Sequence, residues 1–222
     1  MKTSIVIIPV REFQNTKLRL IGTLSADQRA ALTCALIRRV LYAAQKSDVA
    51  KVFVVASDPV SVSTQTQEFS KVKVIRESMH HGGVNSAMMD GINAINHSQN
   101  GYESDLSLIL LPSDLPLITS GGLNKILHLL TKYDLLINPS LKLDGTSLLA
   151  FNARNGKIPL HYDDNSFYKH DLEAKDLGIK YRILKWKQFS FDVDTEEDLK
   201  RLMTIYNSSS LKGLMEKINS CQ

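Results

Sequence analysis

The sequence predicts an α/β protein with a mostly parallel, Rossmann-like mixed sheet and helices on both faces. Two observations predict this fold class. Apolar runs of strand length alternate with segments whose apolar residues recur at helical spacing, which is typical of a parallel sheet covered by helices. The first run, residues 4–10, is apolar almost throughout, as expected of a strand that is buried on both faces.

The first half of the chain carries the clearer alternation. Ser25 and Gln28 form a capping-box pattern at the start of a helix over 25–44, and Asp58 with Pro59 marks another helix start. The other predicted elements are strands over 51–57, 72–75 and 106–111 and helices over 84–97 and 120–133.

The pattern loosens after residue 134. A last helix over 195–207 begins at Thr195, with Asp198 in the capping-box position. We expect one domain over residues 1–207 and a short amphipathic tail over 208–222. The remaining predicted elements are strands over 134–140, 145–151 and 181–185 and a helix over 166–178.

Composition excludes several classes of protein. The 222 residues carry a formal net charge of +4, and the basic residues are scattered, so we expect no nucleic-acid partner. The apolar N-terminal run is too short for a membrane span or a signal peptide, so we expect no membrane partner. Cys34 and Cys221 lie far apart, which predicts neither a disulfide framework nor a metal site but a cytoplasmic location.

Three cations follow the first predicted strand. Open α/β sheets bind ligands beyond the carboxyl ends of their strands, so residues that follow each apolar run are candidates for a site. Arg11, Lys17 and Arg19 stand there within one stretch of nine residues. They suit the phosphate oxygens of a ligand, although solvated basic loops are also common.

Carboxylates follow two later strands. Asp114 stands between two prolines after the run 106–111, while Asp192 and Asp194 point to the same side if their stretch is extended. Like charges on one side repel unless a cation offsets them, so the pair predicts a shared metal ion. The alternative for Asp114 is a plain loop without a ligand. The alternative for the acidic pair is that its charge only stabilises a helix N-terminus, and we interpret residues 196–198 in this way.

Two further segments bear groups that suit an anion. Gly83 and Asn85 stand at the start of a predicted helix, where glycine allows close backbone approach and the N-terminus attracts anions. Ser166 and His170 lie one helical turn apart, which suits a phosphate contact or, equally, a satisfied helix start. The sequence contains no G-x-G-x-x-G segment and no Walker loop.

Seven motifs, taken in order, resemble the 2-phospho-L-lactate guanylyltransferase (CofC-like) family. They are IPVREFQNTKLRL, VVASDP, GGVNSAM, LLPSDLPLIT, GTSLLAF, DDNSFYKH and FDVDTEEDL, and the resemblance covers residues 4 to about 205. The resemblance implies a single nucleotidyltransferase domain of the glycosyltransferase-A-like, nucleotide-diphospho-sugar transferase type. It implies transfer of GMP from GTP to 2-phospho-L-lactate, or to a related three-carbon phosphoacid such as phosphoenolpyruvate, in biosynthesis of the deazaflavin coenzyme F-420.

The resemblance also implies roles for single residues. Lys17 and Arg19 match the family's basic loop and, with Arg11, would hold the triphosphate; Gly83 and Asn85 would bind the nucleotide. Catalysis would rest on Lys17, Arg19 and Asp114. The implied ligands of Mg²⁺ are Asp114, Asp192 and Asp194. The implied contacts of the acceptor's phosphate or carboxylate are Thr146, Ser166 and His170.

The implied reaction joins a phosphate oxygen of the acceptor to the α-phosphorus of GTP and releases pyrophosphate. That oxygen is already ionised at neutral pH, so positioning and charge neutralisation supply the catalysis and no general base is needed. Two alternatives stay open: another nucleotidyltransferase or nucleotide-sugar glycosyltransferase of the same fold, and a non-catalytic nucleotide-binding subunit. The oligomeric state is open, with a homodimer through residues 134–180 as one option.

Overall fold

A computed structural model describes residues 3–11, 13, 16–78, 82–98, 106–153 and 158–220. Cys221 therefore lies outside the described residues, while Cys34 is a free thiol. Within these ranges, seven strands form one sheet. They are β1 (Thr3–Val10), β2 (Lys51–Ala56), β3 (Val72–Arg76), β4 (Leu106–Leu110), β5 (Leu135–Pro139), β6 (Thr146–Asn152) and β7 (Tyr181–Ile183).

The strands are ordered β3-β2-β1-β4-β6-β5-β7 across the sheet. The first four in this order run parallel, and Ile7 of β1 faces Phe53 of β2 on one side and Leu110 of β4 on the other. β6 lies antiparallel between β4 and β5, and β7 is parallel to β5. The prediction of a mostly parallel mixed sheet is thus confirmed.

Eight helices and one short 3₁₀ helix, Leu18–Leu20, accompany the sheet in the described part of the chain. The helices are α1 (Ala26–Gln45), α2 (Pro59–Thr66), α3 (Gly83–Ser98), α4 (Ser120–Leu129), α5 (Ser166–Asp176), α6 (Lys187–Ser190), α7 (Glu196–Ile205) and α8 (Leu211–Ser220). Both predicted capping boxes are present, at Ser25 with Gln28 and at Thr195 with Asp198. The 3₁₀ helix and the single-turn α6 were not predicted, because such short elements leave no periodic pattern.

The sheet is covered on both faces. On one face, α1, α2 and α4 contribute Ile37, Val62 and Leu123 to a buried cluster that includes residues of β1 and β2. On the other face, α3 and α5 contribute Met88 and Ala174 to a second buried cluster. α3 lies so close to β1 that a Cβ on Gly91 would stand 2.5 Å from Cγ2 of Ile7. Glycine is therefore required at this contact.

A third buried cluster joins the C-terminal segment to the domain. Leu214 and Ile218 of α8 pack with Leu36 of α1 and with Phe191, so the predicted amphipathic tail lies on its own chain. No helix in the described residues is long and apolar enough to cross a bilayer.

β1 is the point from which the strand order proceeds in both directions. The chain passes from β1 to β2 on one side, and β4 later pairs with β1 on the other side. The carboxyl ends of β1 and β4 consequently adjoin a topological switch point, where open α/β sheets bind ligands.

Candidate active site

A cleft of about 490 Å³ opens at the carboxyl ends of β1 and β4. Six of the eleven residues predicted from the sequence line its wall: Arg11, Lys17, Arg19, Asp114, Thr146 and Asp194. The other five predicted residues are neighbours of residues that line the cleft. Ser166 and His170 contact Thr146, and Asp192 lies beside Asp114 and Asp194. Gly83 and Asn85 flank Val84 in the sequence. The sheet thus gathers side chains from six separate segments of the sequence.

Lys17 is held between two of the carboxylates. Its Nζ lies 2.5 Å from Oδ2 of Asp114 and 2.9 Å from Oδ1 of Asp194, and its own side chain is only 7% exposed. Burial works against the ammonium charge, but the two carboxylates prevail and raise the pKa of Lys17 well above its ordinary value. Lys17 is therefore a fixed positive charge in the cleft.

The loop that carries Lys17 is anchored to α1. Arg29, which is buried, donates from Nε to the carbonyl of Thr16 and from Nη1 to the carbonyl of Leu24. The hydroxyls of Thr16 and Thr33 lie 2.8 Å apart, which ties the loop to the middle of the helix. Lys17 itself has a left-handed backbone, with φ of 52°. This unusual conformation for a lysine is maintained by the contacts on either side of it.

Three carboxylates meet at one place in the cleft. Asp114, Asp192 and Asp194 each offer an oxygen, and these oxygens all lie within 4.8 Å of one another. Burial, together with the charges of Asp114 and Asp194, raises the pKa of Asp192 to about 6. Burial and the two like charges both disfavour the ionised form of Asp192, and a nearby cation would favour it. This acidic triad could hold a metal ion, and its all-oxygen donor set suits a hard cation.

The orientation of the acidic pair follows from residue alternation. Phe191 and Val193 are fully buried in the third core cluster, so Asp192 and Asp194 are turned the opposite way. The predicted common side of the two aspartates is therefore observed. The interpretation of Asp198 as a helix-start residue is also observed, because its carboxylate accepts a hydrogen bond from the backbone N–H of Thr195 at 2.9 Å.

Thr146, Ser166 and His170 form one hydrogen-bonded group beside the cleft. Ser166 Oγ accepts a hydrogen bond from the backbone N–H of Thr146 at 2.7 Å. Nδ1 of His170 lies 2.8 Å from Oγ1 of Thr146. Ser166 and His170 are almost fully buried, at 3% and 1% exposure, so Thr146 is the member of the group that lines the cleft.

The protonation of His170 can be deduced from its partners. Burial, aided by the neighbouring His161, lowers the pKa of His170 to about 4, so the ring is neutral at pH 7. Nε2 accepts a hydrogen bond from the backbone N–H of His161 at 3.0 Å, which places the ring proton on Nδ1. His170 therefore donates to Thr146, and the hydroxyl proton of Thr146 is left for another acceptor.

Gly83 and Asn85 open α3 next to the cleft. Gly83 has a φ of +76°, which a residue with a side chain rarely adopts, so the helix begins on glycine for a conformational reason. Oδ1 of Asn85 accepts a hydrogen bond from the backbone N–H of Tyr162 at 2.7 Å. Asn85 thus ties α3 to the segment before α5, while the neighbouring Val84 reaches the cleft.

Most residues of the cleft wall were not among the predicted site residues, and Val84, Met88 and Tyr162 are three of them. The helical spacing of Val84 and Met88 predicts a core-facing stripe, and no local pattern distinguishes a cleft wall from a core. Tyr162 precedes the acidic turn before Ser166 and carries no sequence signal of its own. Only the three-dimensional arrangement identifies it.

Comparison with known proteins assigns the chain to a family. Residues 4–220 match the family model described as guanylyl transferase CofC like. The chain is 31% identical over 220 residues to the 2-phospho-L-lactate guanylyltransferase of Methanosphaera stadtmanae, covering 99% of this chain and 92% of that protein. It is 29% identical over 197 residues to the phosphoenolpyruvate guanylyltransferase of Rubrobacter xylanophilus, covering 88% and 91% of the two chains.

The fold is shared with solved structures. One is the structure of a protein from Desulfovibrio desulfuricans G20 that is described as a nucleotide-diphospho-sugar transferase. The TM-score is 0.76, and the sequences are 18% identical, with 98% of this chain and 95% of that chain covered. At this identity the likeness shows the fold alone, and that fold is the one predicted. The family match over nearly the whole chain shows that this protein belongs to the CofC-like guanylyl transferases.

Proposed function

We propose that the protein transfers GMP from GTP to a small three-carbon phosphoacid and releases pyrophosphate. The acceptor is 2-phospho-L-lactate or phosphoenolpyruvate, the two acids in the names of the relatives. The transfer then belongs to the biosynthesis of the deazaflavin coenzyme F-420, as the resemblance of the motifs implies. A cytoplasmic location is supported by the phosphorylated substrates. It is also supported by the wide separation of Cys34 and Cys221, which gives no disulfide framework.

The observation that carries this proposal is the pairing of cations and carboxylates in one cleft. Lys17 contacts Asp114 and Asp194 directly, and Arg11 and Arg19 line the same wall. A nucleoside triphosphate needs cations against its phosphate oxygens and carboxylates for the metal that accompanies it. Both requirements are met within a cleft large enough for a ligand.

We propose Mg²⁺ as the ion of the acidic triad. Mg²⁺ binds through one or two carboxylates together with phosphate oxygens and water, and the oxygens of Asp114, Asp192 and Asp194 are close enough to share it. When bound, the ion would supply charge stabilisation to the phosphate groups that react.

The basic residues would act on the leaving pyrophosphate. Arg11 and Arg19 are exposed at the rim, whereas Lys17 is fixed within the wall. A preorganised cation needs no reorganisation as negative charge develops, so Lys17 would stabilise the departing group most effectively. The attacking phosphate oxygen is ionised at neutral pH, so no residue needs to remove a proton. Positioning of the two anions is then the main catalytic task.

The neutral side of the cleft suits the acceptor. Thr146 presents a hydroxyl whose proton is not used by His170, and it is buried on its other side against Ser166. Donors of this kind hold an anion without adding a charge that would compete for the triphosphate. We propose that Thr146 contacts the acceptor, and that Ser166 and His170 act by fixing Thr146.

The test is pyrophosphate release by the purified protein with Mg²⁺ and GTP. 2-Phospho-L-lactate, phosphoenolpyruvate and 3-phosphoglycerate are offered in parallel, and ATP, CTP and UTP are the matched nucleotide controls. Release with GTP and one phosphoacid supports the proposal and identifies the acceptor. A folded protein that releases pyrophosphate with none of the acids contradicts it and favours the nucleotide-sugar or non-catalytic alternatives.

A further inference from the structure

The hydroxyl of Tyr162 is a polar group for which the site described above gives no purpose. Tyr162 lies between β6 and α5 and lines the cleft together with Thr146. Its hydroxyl oxygen is buried and has no hydrogen-bond partner among the described residues. Buried hydroxyl groups are nearly always paired, because an unpaired one has lost its water without gaining another bond. An unpaired hydroxyl on a residue that lines a cleft therefore points to a ligand.

The position of Tyr162 is fixed from two sides. Its backbone N–H donates to Oδ1 of Asn85 at 2.7 Å, which ties it to the start of α3. Its ring meets that of His170 edge to face, with the centroids 5.3 Å apart and the planes at 68°. The ring also packs against the second core cluster. These contacts hold the backbone and the ring of Tyr162 in place beside the cleft.

The hydroxyl is available as a donor. Burial raises the pKa of Tyr162, so the oxygen keeps its proton at any pH at which the protein works. Thr146 on the same wall also has an uncommitted proton, since Oγ1 accepts from Nδ1 of His170. Two uncharged hydroxyl groups can thus donate hydrogen bonds to the oxygens of a carboxylate or phosphate.

The surroundings favour the acceptor over the nucleotide. Lys17, Arg11 and Arg19 all come from the loop after β1 and suit the highly charged triphosphate. The wall with Tyr162 contributes hydroxyls and the apolar side chains of Val84 and Met88 instead. A three-carbon acid has a carboxylate for such hydroxyls and a methyl or methylene group for such an apolar surface.

We infer that the Tyr162 hydroxyl donates a hydrogen bond to an anionic oxygen of the phosphoacid acceptor and thereby contributes to acceptor recognition. The inference rests on the proposed function. The competing explanation is that Tyr162 serves only as an aromatic packing residue. Phenylalanine at this position would then support binding of every ligand equally well.

The variant Tyr162→Phe removes the hydroxyl and leaves the ring. The exposed Tyr168→Phe on α5 is the matched control. KM for each substrate is measured from pyrophosphate release with GTP, Mg²⁺ and 2-phospho-L-lactate or phosphoenolpyruvate, and Tm is measured without ligand. We expect the acceptor KM to rise roughly 10- to 100-fold, as for loss of one hydrogen bond to a charged group, and the GTP KM to stay within about twofold. The ligand-free Tm should be unchanged or higher by about 2–4 °C, because an unpaired buried hydroxyl has been removed.

An acceptor KM within about twofold of the wild-type value would overturn the inference while leaving the proposed function intact. A rise in the GTP KM alone would overturn it as well, since the hydroxyl would then serve the nucleotide. A wild-type protein that neither turns over nor shows an acceptor-induced Tm shift with either acid would overturn the proposed function and this inference with it. The comparison of variant with wild type thus separates the two failures.

Discussion

Nζ of Lys17 lies 2.5 Å from Oδ2 of Asp114, although 97 positions separate the two residues in the sequence. The contact joins the loop after β1 to the turn after β4, and the parallel pairing of these strands makes it possible. Asp194 accepts a second hydrogen bond from the same nitrogen at 2.9 Å. One buried cation therefore organises carboxylates from two distant segments, and most of the proposed chemistry depends on this arrangement.

Replacing Asp114 with asparagine should abolish most of the activity without unfolding the protein. The change removes one charge of the acidic triad and one partner of Lys17, so we expect turnover to fall roughly 10³-fold. Leu111 and Leu115, which anchor this turn in the core, are unaffected. Pyrophosphate release and thermal unfolding are measured together, with the exposed Asp176→Asn as control. Retained turnover in the Asp114 variant would exclude it as a metal ligand.

Replacing Lys17 with methionine should separate metal binding from catalysis. Without the ammonium group, Asp114 and Asp194 are left for a cation, so Mn²⁺ used as a spectroscopic probe should bind at least about tenfold more tightly. Turnover should still fall about 10²-fold, because a fixed positive charge near the leaving group is lost. Electron paramagnetic resonance measures the free ion, and the exposed Lys132→Met is the control. Weaker Mn²⁺ binding in the Lys17 variant would contradict this account.

His170 should make the stability of the fold depend on pH. Its pKa is about 4 in the folded protein, against 6.5 for the ordinary side chain, so between these values the unfolded chain binds the additional proton. Stability is unaffected by His170 above pH 6.5 and should fall as the pH drops toward 4, by on the order of 2–3 kcal/mol.

The measurement is urea unfolding of wild type and His170→Gln between pH 4 and 7, because the variant lacks this titration. The variant removes the hydrogen bond to Thr146 and will be less stable at pH 7, but the difference from wild type should narrow as the pH falls. His128→Gln, at an exposed position, is the matched control. Parallel pH profiles for wild type and the His170 variant would show that His170 is not buried in its neutral form.

The C-terminal helix should contribute to the stability of the domain. Leu214 is fully buried between α8 and α1, so Leu214→Ala should lower the free energy of unfolding by about 2–4 kcal/mol. The half-exposed Leu177→Ala should change it by less than about 0.5 kcal/mol. Urea unfolding measures both. If the Leu214 variant were as stable as wild type, residues 208–222 would be a tail that does not stabilise the domain. That result would agree with the prediction of a domain that ends at residue 207.

Local patterns in the sequence predicted the elements and several of their ends. The capping boxes at Ser25 and Thr195 are examples, because the side chain and the backbone that it caps are three residues apart. The alternation of Phe191 and Val193 with Asp192 and Asp194 likewise predicted a common side for the two carboxylates. In each case the determining interaction lies within one short segment.

Interactions between distant segments were not predictable in the same way. The insertion of β6 between β4 and β5 depends on backbone pairing that no local pattern encodes. The sequence indicated cations and carboxylates at the strand ends, but not that Lys17 would contact Asp114 and Asp194. It also left two interpretations of His170 open, and only the contacts with Thr146 and His161 show the ring satisfied within the protein.

The most direct test of guanylyl transfer is to follow the label of GTP in the presence of Mg²⁺ and the acceptor. Two parallel reactions use GTP labelled with ³²P at the α-position and at the γ-position, and the products are separated by chromatography. Guanylyl transfer predicts that the α-label appears in a new compound that also contains the acceptor, while the γ-label appears only in pyrophosphate. Appearance of the γ-label in the acceptor, or of the α-label in free GMP or GDP alone, would contradict the proposed function.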